Sequence, residues 1–173
     1  MKMRILNKVI LALMLIYTIK ANSQDAYLIT KVYDGDTFQI ETGEKVRLLG
    51  IDTPEKWDSS KLDKDSERSG KDKEIIKKLG ALASDYAEKI LLNQKVILVG
   101  DSTNSDKDRY GRLLRYCYLE DGTFFNLQII KDGYANAYTK YPVIFMEQFL
   151  EAQREARENK RGLWGDLDFE GLE

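Results

Sequence analysis

The sequence has no histidine and only one cysteine. Without histidine, the chain cannot form a Ser-His-Asp or Cys-His catalytic arrangement, use an imidazole as a general base, or build most zinc sites. The single cysteine, Cys117, cannot form an intramolecular disulfide. It lies in an apolar run at residues 113–119, which favours a buried thiol over a reactive one. Any hydrolytic chemistry must therefore depend on carboxylates, arginines, tyrosines and a hard metal ion.

The N-terminus has the layout of a secretory signal peptide. Lys2, Arg4 and Lys8 precede an apolar run at residues 9–19, and small residues follow it up to Ser23. The run is shorter than the roughly 20 apolar residues that span a bilayer, which disfavours a retained membrane anchor. We expect cleavage after Ser23, export to a periplasm or to the medium, and no stable membrane association of the processed protein.

Residues 24–173 are predicted to form one domain, because no repeat, low-complexity tract or linker divides them. They carry 23 basic and 29 acidic residues, a net charge of −6. Such a chain attracts nucleic acid only through a local site, not through its whole surface. The sequence contains no sign of an oligomer, and we expect a monomer.

The residue pattern predicts an α+β fold built on a five-stranded, oligonucleotide-binding (OB) Greek-key barrel with about three helices. The order is three strands, a helix, two strands and two helices. The charged stretch at residues 56–73 predicts a mobile surface loop, and Gly80 marks either a helix break or a close packing contact. The predicted strands are 27–32, 37–41, 45–49, 95–99 and 112–119, and the predicted helices are 74–91, 125–132 and 142–159.

Two polar motifs could carry chemistry. The first joins residues 34–37 (Asp-Gly-Asp-Thr), Arg47 and residues 52–55 (Asp-Thr-Pro-Glu). In the predicted barrel the hairpin at 34–37 approaches the end of the third strand, so two carboxylates converge as oxygen ligands for a divalent cation. The second is residues 108–112 (Asp-Arg-Tyr-Gly-Arg). Taken singly, these pieces also fit a hairpin turn, a capped turn, a structural salt bridge of Arg47 and a solvated loop.

Together with Gly-Leu-Trp at residues 162–164, the motifs resemble the thermonuclease, or staphylococcal-nuclease-like, family over residues 27–166. The resemblance implies a Ca²⁺-dependent endonuclease that cuts DNA and RNA with little sequence preference and leaves 3′-phosphate ends. It implies that Asp36, Asp52 and the Thr53 carbonyl bind Ca²⁺, with Asp34 acting through water. Glu55 would be the general base, or the group that orients the attacking water.

The resemblance also implies that Arg47 and Arg112 bind the phosphate, where negative charge develops during attack. Three further side chains would contact the phosphate, sugar and base of the substrate: Arg109, Tyr110 and Tyr138. Tyr141 is the alternative to Tyr138 for base stacking. The charged segment 56–78 is longer than in compact members of the family, and it could either shape substrate entry or be an inert excursion.

Two other functions fit the same fold. Non-catalytic thermonuclease-like modules bind nucleic acid or protein, but they typically lose metal and arginine positions that are all present here. A structural exported domain could use Ca²⁺ for stability alone, but it would not need two arginines beside the metal. We therefore expect an enzyme.

Overall fold

The computed structural model describes residues 25–70 and 72–165. The predicted signal peptide at residues 1–23 lies outside the described residues. None of the helices within the described ranges is long and apolar enough to cross a membrane. The barrel strands are β1 (Ala26–Asp34), β2 (Thr37–Ile40), β3 (Lys45–Leu48), β5 (Lys95–Val99) and β6 (Leu113–Leu119).

These five strands close into a barrel in the order β1-β2-β3-β6-β5, which confirms the predicted fold. Strands β3 and β6 run parallel, with Arg47 opposite Leu114, and the other pairs are antiparallel. The parallel pair places the start of β6 beside β3. It therefore brings the two polar motifs to the same region of the barrel, although about 60 residues of chain separate them.

A small two-stranded sheet lies beside the barrel and was not predicted. Strand β4 (Ile51–Asp52) pairs with β7 (Asn136–Ala137), and Asp52 lies opposite Asn136. A further bond from the Tyr138 amide to the Gly50 carbonyl, at 2.9 Å, extends this contact. The sheet attaches the chain after the third helix to the segment that carries Asp52.

The expectation of a surface loop at residues 56–73 is wrong where helix α1 (Ser60–Ser69) forms. Its N-terminus is capped by Ser59, whose hydroxyl accepts a hydrogen bond from the Leu62 amide at 3.0 Å. Leu62 is buried, and it is the one apolar residue among the ten. Periodicity needs several apolar positions to reveal a helix, so this pattern could not reveal α1.

Helix α2 (Lys73–Leu91) is continuous through Gly80, which decides between the two roles considered for that glycine. A Cβ atom at position 80 would lie 2.5 Å from the carbonyl carbon of Glu55 and 2.7 Å from the Lys56 nitrogen. Gly80 therefore marks a close packing contact between α2 and the chain at Glu55. The inner face of α2 is formed by Ile76, Leu79, Ala83, Ala87 and Leu91.

Two helices follow the barrel, α3 (Phe125–Lys131) and α4 (Met146–Glu158), with a short 3₁₀ turn at Gly162–Trp164. The proline at position 142 predicted the start of this last helix, but α4 begins four residues later, at Met146. The Ile144 amide donates instead to a carboxylate oxygen of Asp101, at 3.0 Å. The described residues contain four α-helices, one more than expected, because α1 was missed.

Cys117 lies within the core, and burial raises the pKa of its thiol, so the expectation of a buried thiol is confirmed. Beside it, the buried Asn126 side chain accepts from the Cys117 amide at 2.9 Å and donates to the Leu49 carbonyl at 2.9 Å. This buried amide ties α3 and β6 to the chain just after β3. It thereby supports the segment that leads to Asp52.

Candidate active site

Asp36 is the most enclosed carboxylate of the site, with 5% of its surface exposed. One oxygen accepts from the Thr53 amide and hydroxyl, both at 3.1 Å, and lies 2.9 Å from Nη1 of Arg47. The other accepts from the Thr37 hydroxyl at 3.0 Å. Burial alone would raise the pKa of Asp36, but the nearby charges of Arg47 and Lys61 lower it overall. Asp36 is therefore held as a carboxylate.

The hairpin that carries Asp36 packs directly on Thr53. A Cβ atom at Gly35 would lie 2.6 Å from the Thr53 methyl group, so the turn can approach this closely only with glycine there. Asp34 accepts a hydrogen bond from the Asp36 amide at 3.0 Å. Burial, followed by repulsion from Asp36, raises the pKa of Asp34 to about 7. Asp34 therefore lies directly next to Asp36 in this hairpin.

Arg47 bridges the two predicted metal ligands. Its guanidinium lies 2.9 Å from Asp36 and 3.1 Å from Asp52, and its side chain is 15% exposed. Burial would lower the pKa of Arg47, but these two carboxylates raise it. An arginine in this strand needs an anionic partner, and Arg47 has two, Asp36 and Asp52. The backbone of Tyr138 also lies near this site, because Asn136 pairs with Asp52 and the Tyr138 amide donates to the Gly50 carbonyl at 2.9 Å.

Lys61, in the first turn of α1, is the site residue that the sequence did not reveal. Its ammonium lies 3.0 Å from Oδ1 of Asp52 and 2.9 Å from Oε1 of Glu55, and it donates to the Thr53 carbonyl at 3.0 Å. The other Glu55 oxygen accepts from the Ser59 hydroxyl at 3.3 Å. The charges in residues 56–73 gave no signal for this role, because basic and acidic residues are intermixed there at irregular intervals.

The second motif is joined to the first through a threonine. Arg112 makes a two-pronged contact with Asp108, at 2.8 Å from Nε and 2.7 Å from Nη2. Its Nη1 donates to the Thr37 hydroxyl at 3.3 Å, and that hydroxyl donates to Asp36. The side chain of Arg112 is 27% exposed. Residues 108–112 are therefore part of the site's network, whereas a purely solvated loop would not contact it.

Aromatic rings line the region around these arginines. The Tyr110 ring is 68% exposed, with the guanidinium carbons of Arg109 and Arg112 at 4.7 Å and 5.6 Å from its centre. The rings of Tyr138 and Tyr141 lie 6.0 Å apart. Of the two, Tyr141 is the more exposed.

The donor chemistry of the site fits a hard cation such as Ca²⁺, since carboxylate and carbonyl oxygens are its usual ligands. Three oxygens, from Asp52, Thr53 and Glu55, already converge on the Lys61 ammonium within 3.0 Å. Within residues 25–70 and 72–165, however, no three carboxylate or thiol side chains are grouped closely enough to hold a metal ion together. Asp36 contacts Arg47 and Thr53, whereas Lys61 contacts Asp52, Thr53 and Glu55.

A family model described as "Staphylococcal nuclease homologue" matches residues 45–166, which is more than half of the chain. The chain belongs to this family. The matched residues include Arg47, Asp52, Glu55 and Arg112. The match begins at residue 45, after the hairpin that carries Asp36.

Individual relatives cover most of the nuclease homologue. It is 37% identical to "Uncharacterized protein MJ1439" of Methanocaldococcus jannaschii, over 86% of this chain and 76% of that protein. It is 35% identical to "Thermonuclease" of Staphylococcus intermedius, over 81% of this chain and 76% of the relative. It is also 32% identical to "Endonuclease YhcR" of Bacillus subtilis, over 82% of this chain but 11% of that much longer protein.

Proposed function

We propose that this protein is an exported, Ca²⁺-dependent endonuclease that hydrolyses phosphodiester bonds of DNA and RNA. The observation that carries the proposal is one unbroken series of side-chain contacts from Arg112 to Glu55. It passes through Thr37, Asp36, Arg47, Asp52 and Lys61. Relatives named thermonuclease and endonuclease support the reaction class.

The two arginines would bind the phosphate oxygens. Hydrolysis of a phosphodiester builds negative charge on these oxygens, and a guanidinium stays protonated and can donate to two oxygens at once. Both side chains are already oriented by carboxylates, Arg47 by Asp36 and Asp52, and Arg112 by Asp108. Such preorganised donors act most strongly where charge develops.

Glu55 would accept a proton from the attacking water or orient it. Its carboxylate is 28% exposed and receives hydrogen bonds from Ser59 and Lys61, so it is fixed yet accessible. Asp36, Asp52 and the Thr53 carbonyl would hold Ca²⁺, which when bound supplies electrophilic stabilisation of the phosphate. Because hydroxide is the attacking species, activity should rise toward alkaline pH, and a maximum near pH 5 would contradict this mechanism.

The substrate contacts would carry little base information, since stacking and phosphate binding tolerate any sequence. Expulsion of the 5′-oxygen would leave 3′-phosphate ends, and end-group analysis that finds 5′-phosphates would refute this part. Export is proposed from the signal-like residues 1–23. N-terminal sequencing of protein recovered from outside the cytoplasm would test both export and cleavage after Ser23.

The decisive experiment incubates the purified protein with single-stranded DNA, double-stranded DNA and RNA, each with Ca²⁺, Mg²⁺ or EDTA. Arg112→Ala and Glu55→Gln are run beside the wild-type protein, and Arg154→Ala, at an exposed position of α4, is the matched control. We expect cleavage in Ca²⁺ that EDTA and both site variants abolish and that the control retains.

Intact substrate in every reaction, from protein shown to be folded, would refute the nuclease proposal. If the folded protein then retained nucleic acid equally well in Ca²⁺ and EDTA, the chain would be a non-catalytic binding module.

A further inference from the structure

The ammonium of Lys61 is bound by the oxygens that the metal ion would need. We propose that Lys61 is an internal competitor of the metal: Ca²⁺ binds by displacing this ammonium, and the displacement releases Glu55 for catalysis. The inference rests on the proposed Ca²⁺-dependent function. It concerns a residue of the charged segment 56–78, for which the sequence offered only substrate entry or no role.

The geometry makes the two cations mutually exclusive. The ammonium lies 3.0 Å from Asp52 and donates to the Thr53 carbonyl at 3.0 Å, and both groups are predicted metal ligands. Calcium binds oxygen at roughly 2.3–2.6 Å. An ion that both oxygens bind on the side they share with the ammonium would lie almost against it, where two positive charges repel strongly. The lysine side chain must therefore move away.

The charges favour the exchange. Within the described residues, Asp36, Asp52 and Glu55 form ion pairs with two cationic side chains, Arg47 and Lys61. One negative charge is thus left over. Replacing a singly charged ammonium with a doubly charged ion balances the three carboxylates against Arg47 and the metal.

The exchange needs no movement of α1. Leu62, the next residue, is 1% exposed, and the Ser59 cap fixes the first turn of the helix. The Lys61 side chain itself is 36% exposed, more than Asp52 at 19% or Glu55 at 28%. Rotation of this long side chain can therefore bring the ammonium into water while the helix stays in place. Its departure removes one of the two hydrogen bonds on Glu55.

The test is Ca²⁺ binding by titration calorimetry, without substrate, so that the measurement does not depend on cleavage. The variants are Lys61→Met and Lys61→Arg, and Lys64→Met is the matched control. Lys64 lies on the same helix at an exposed position, and its replacement removes the same charge. We expect Lys61→Met to lower the Kd for Ca²⁺ roughly tenfold, because the ion no longer has to displace an ammonium from Asp52 and Glu55. Lys61→Arg should bind Ca²⁺ as weakly as the wild type, and so should Lys64→Met.

A second measurement guards against a variant that folds poorly. Because Ca²⁺ binds the folded state, tighter binding must appear as a larger Ca²⁺-induced rise in Tm for Lys61→Met than for the wild type. If circular dichroism shows that Lys61→Met is unfolded, Lys61→Gln is used in its place.

Three results would overturn the inference. An unchanged or weaker Ca²⁺ affinity of Lys61→Met would show that Lys61 supports the ligands rather than competing with the ion. An equal gain in Lys64→Met would assign the effect to overall charge. Absence of Ca²⁺ binding in the wild type and in every variant would refute both the Lys61 inference and the proposed Ca²⁺ dependence. By contrast, a wild-type protein that binds Ca²⁺ but cleaves no nucleic acid would contradict the proposed nuclease function alone.

Discussion

Arg47 and Asp52 form a salt bridge, with Nη2 of the arginine 3.1 Å from Oδ1 of the aspartate. The two residues are five positions apart, and the chain between them turns sharply from β3 into β4. The same guanidinium also reaches Asp36, in a different hairpin. One planar cation therefore holds together the two predicted metal ligands, and the geometry of that cation should matter as much as its charge.

Arg47→Lys should reduce kcat by about 100-fold or more, the cost expected when one preorganised donor to the reacting oxygens is lost. Lysine keeps the charge but cannot present a planar fork to Asp36, Asp52 and a phosphate together. Single-turnover cleavage measures the effect, and Arg154→Lys on the exposed face of α4 is the control. Near-native cleavage by Arg47→Lys would show that charge alone suffices.

Glu55→Gln should lower the cleavage rate by about 100-fold or more, since a positioned general base typically contributes that much. The amide preserves the shape of the side chain and can still accept from Ser59, but it cannot take a proton from water. Rates over a range of pH measure the effect, with Glu151→Gln at an exposed α4 position as the control. A variant that keeps the wild-type rate would exclude Glu55 as the base.

Gly80→Ala should impair cleavage although alanine favours helices. The added methyl would lie 2.5 Å from the Glu55 carbonyl carbon, so either α2 or the Glu55 backbone must shift. We expect a lower free energy of unfolding, even though alanine gains about 1 kcal/mol of helix propensity. Urea unfolding and cleavage assays measure both effects, beside Lys89→Ala at an exposed α2 position. A stabilised and fully active variant would contradict the packing argument.

Tyr138→Ala should weaken binding of single-stranded DNA more than Tyr141→Ala does. Loss of one base-stacking contact costs about 1–3 kcal/mol, and the Tyr138 backbone is hydrogen-bonded to Gly50, two residues before Asp52. The comparison is made from the KM of each variant on the same oligonucleotide. The two residues are near neighbours, so each serves as the control for the other. A larger effect at Tyr141 would move the base site outward, to the more exposed ring.

Asp101 should make stability depend on pH in the acid range. It is 6% exposed; burial alone would raise its pKa, but hydrogen bonds from Thr103, Tyr116 and the Ile144 amide lower it to about 2. A carboxyl group whose pKa is depressed on folding contributes stability above its unfolded pKa, and this contribution is lost as the pH falls through the folded value.

Asp101→Asn should therefore cost about 2 kcal/mol of unfolding free energy at pH 7 and little near pH 2. Urea unfolding at both pH values measures the difference. Asp85→Asn, at an exposed α2 position, should lose far less at pH 7. An equal loss for Asp101→Asn at the two pH values would show that the charge of Asp101 contributes nothing.

The barrel strands could be predicted because their apolar and β-forming residues, bounded by turn residues, are visible in the local sequence. The prediction for β5 agrees with the structure at both ends, and those for the other barrel strands differ by one or two residues. Helix α1 could not be predicted, since Leu62 is its one apolar residue and its stability depends on a cap and on contacts with α2. The start of α4 was misplaced because the Ile144 amide bonds to Asp101, 43 positions away, which no local pattern records.

The sequence by itself determined which chemistry is possible. Without histidine, it left carboxylates, arginines and a hard cation, and the resemblance of its motifs to the thermonuclease family implied that Asp36, Arg47, Asp52 and Glu55 act together. Only the tertiary structure decided that Thr37 joins Arg112 to Asp36 and that Lys61 lies among the proposed metal ligands. The physical reason is that residue type limits what a side chain can do. Its partners depend on strand pairing and helix packing between segments far apart in the chain.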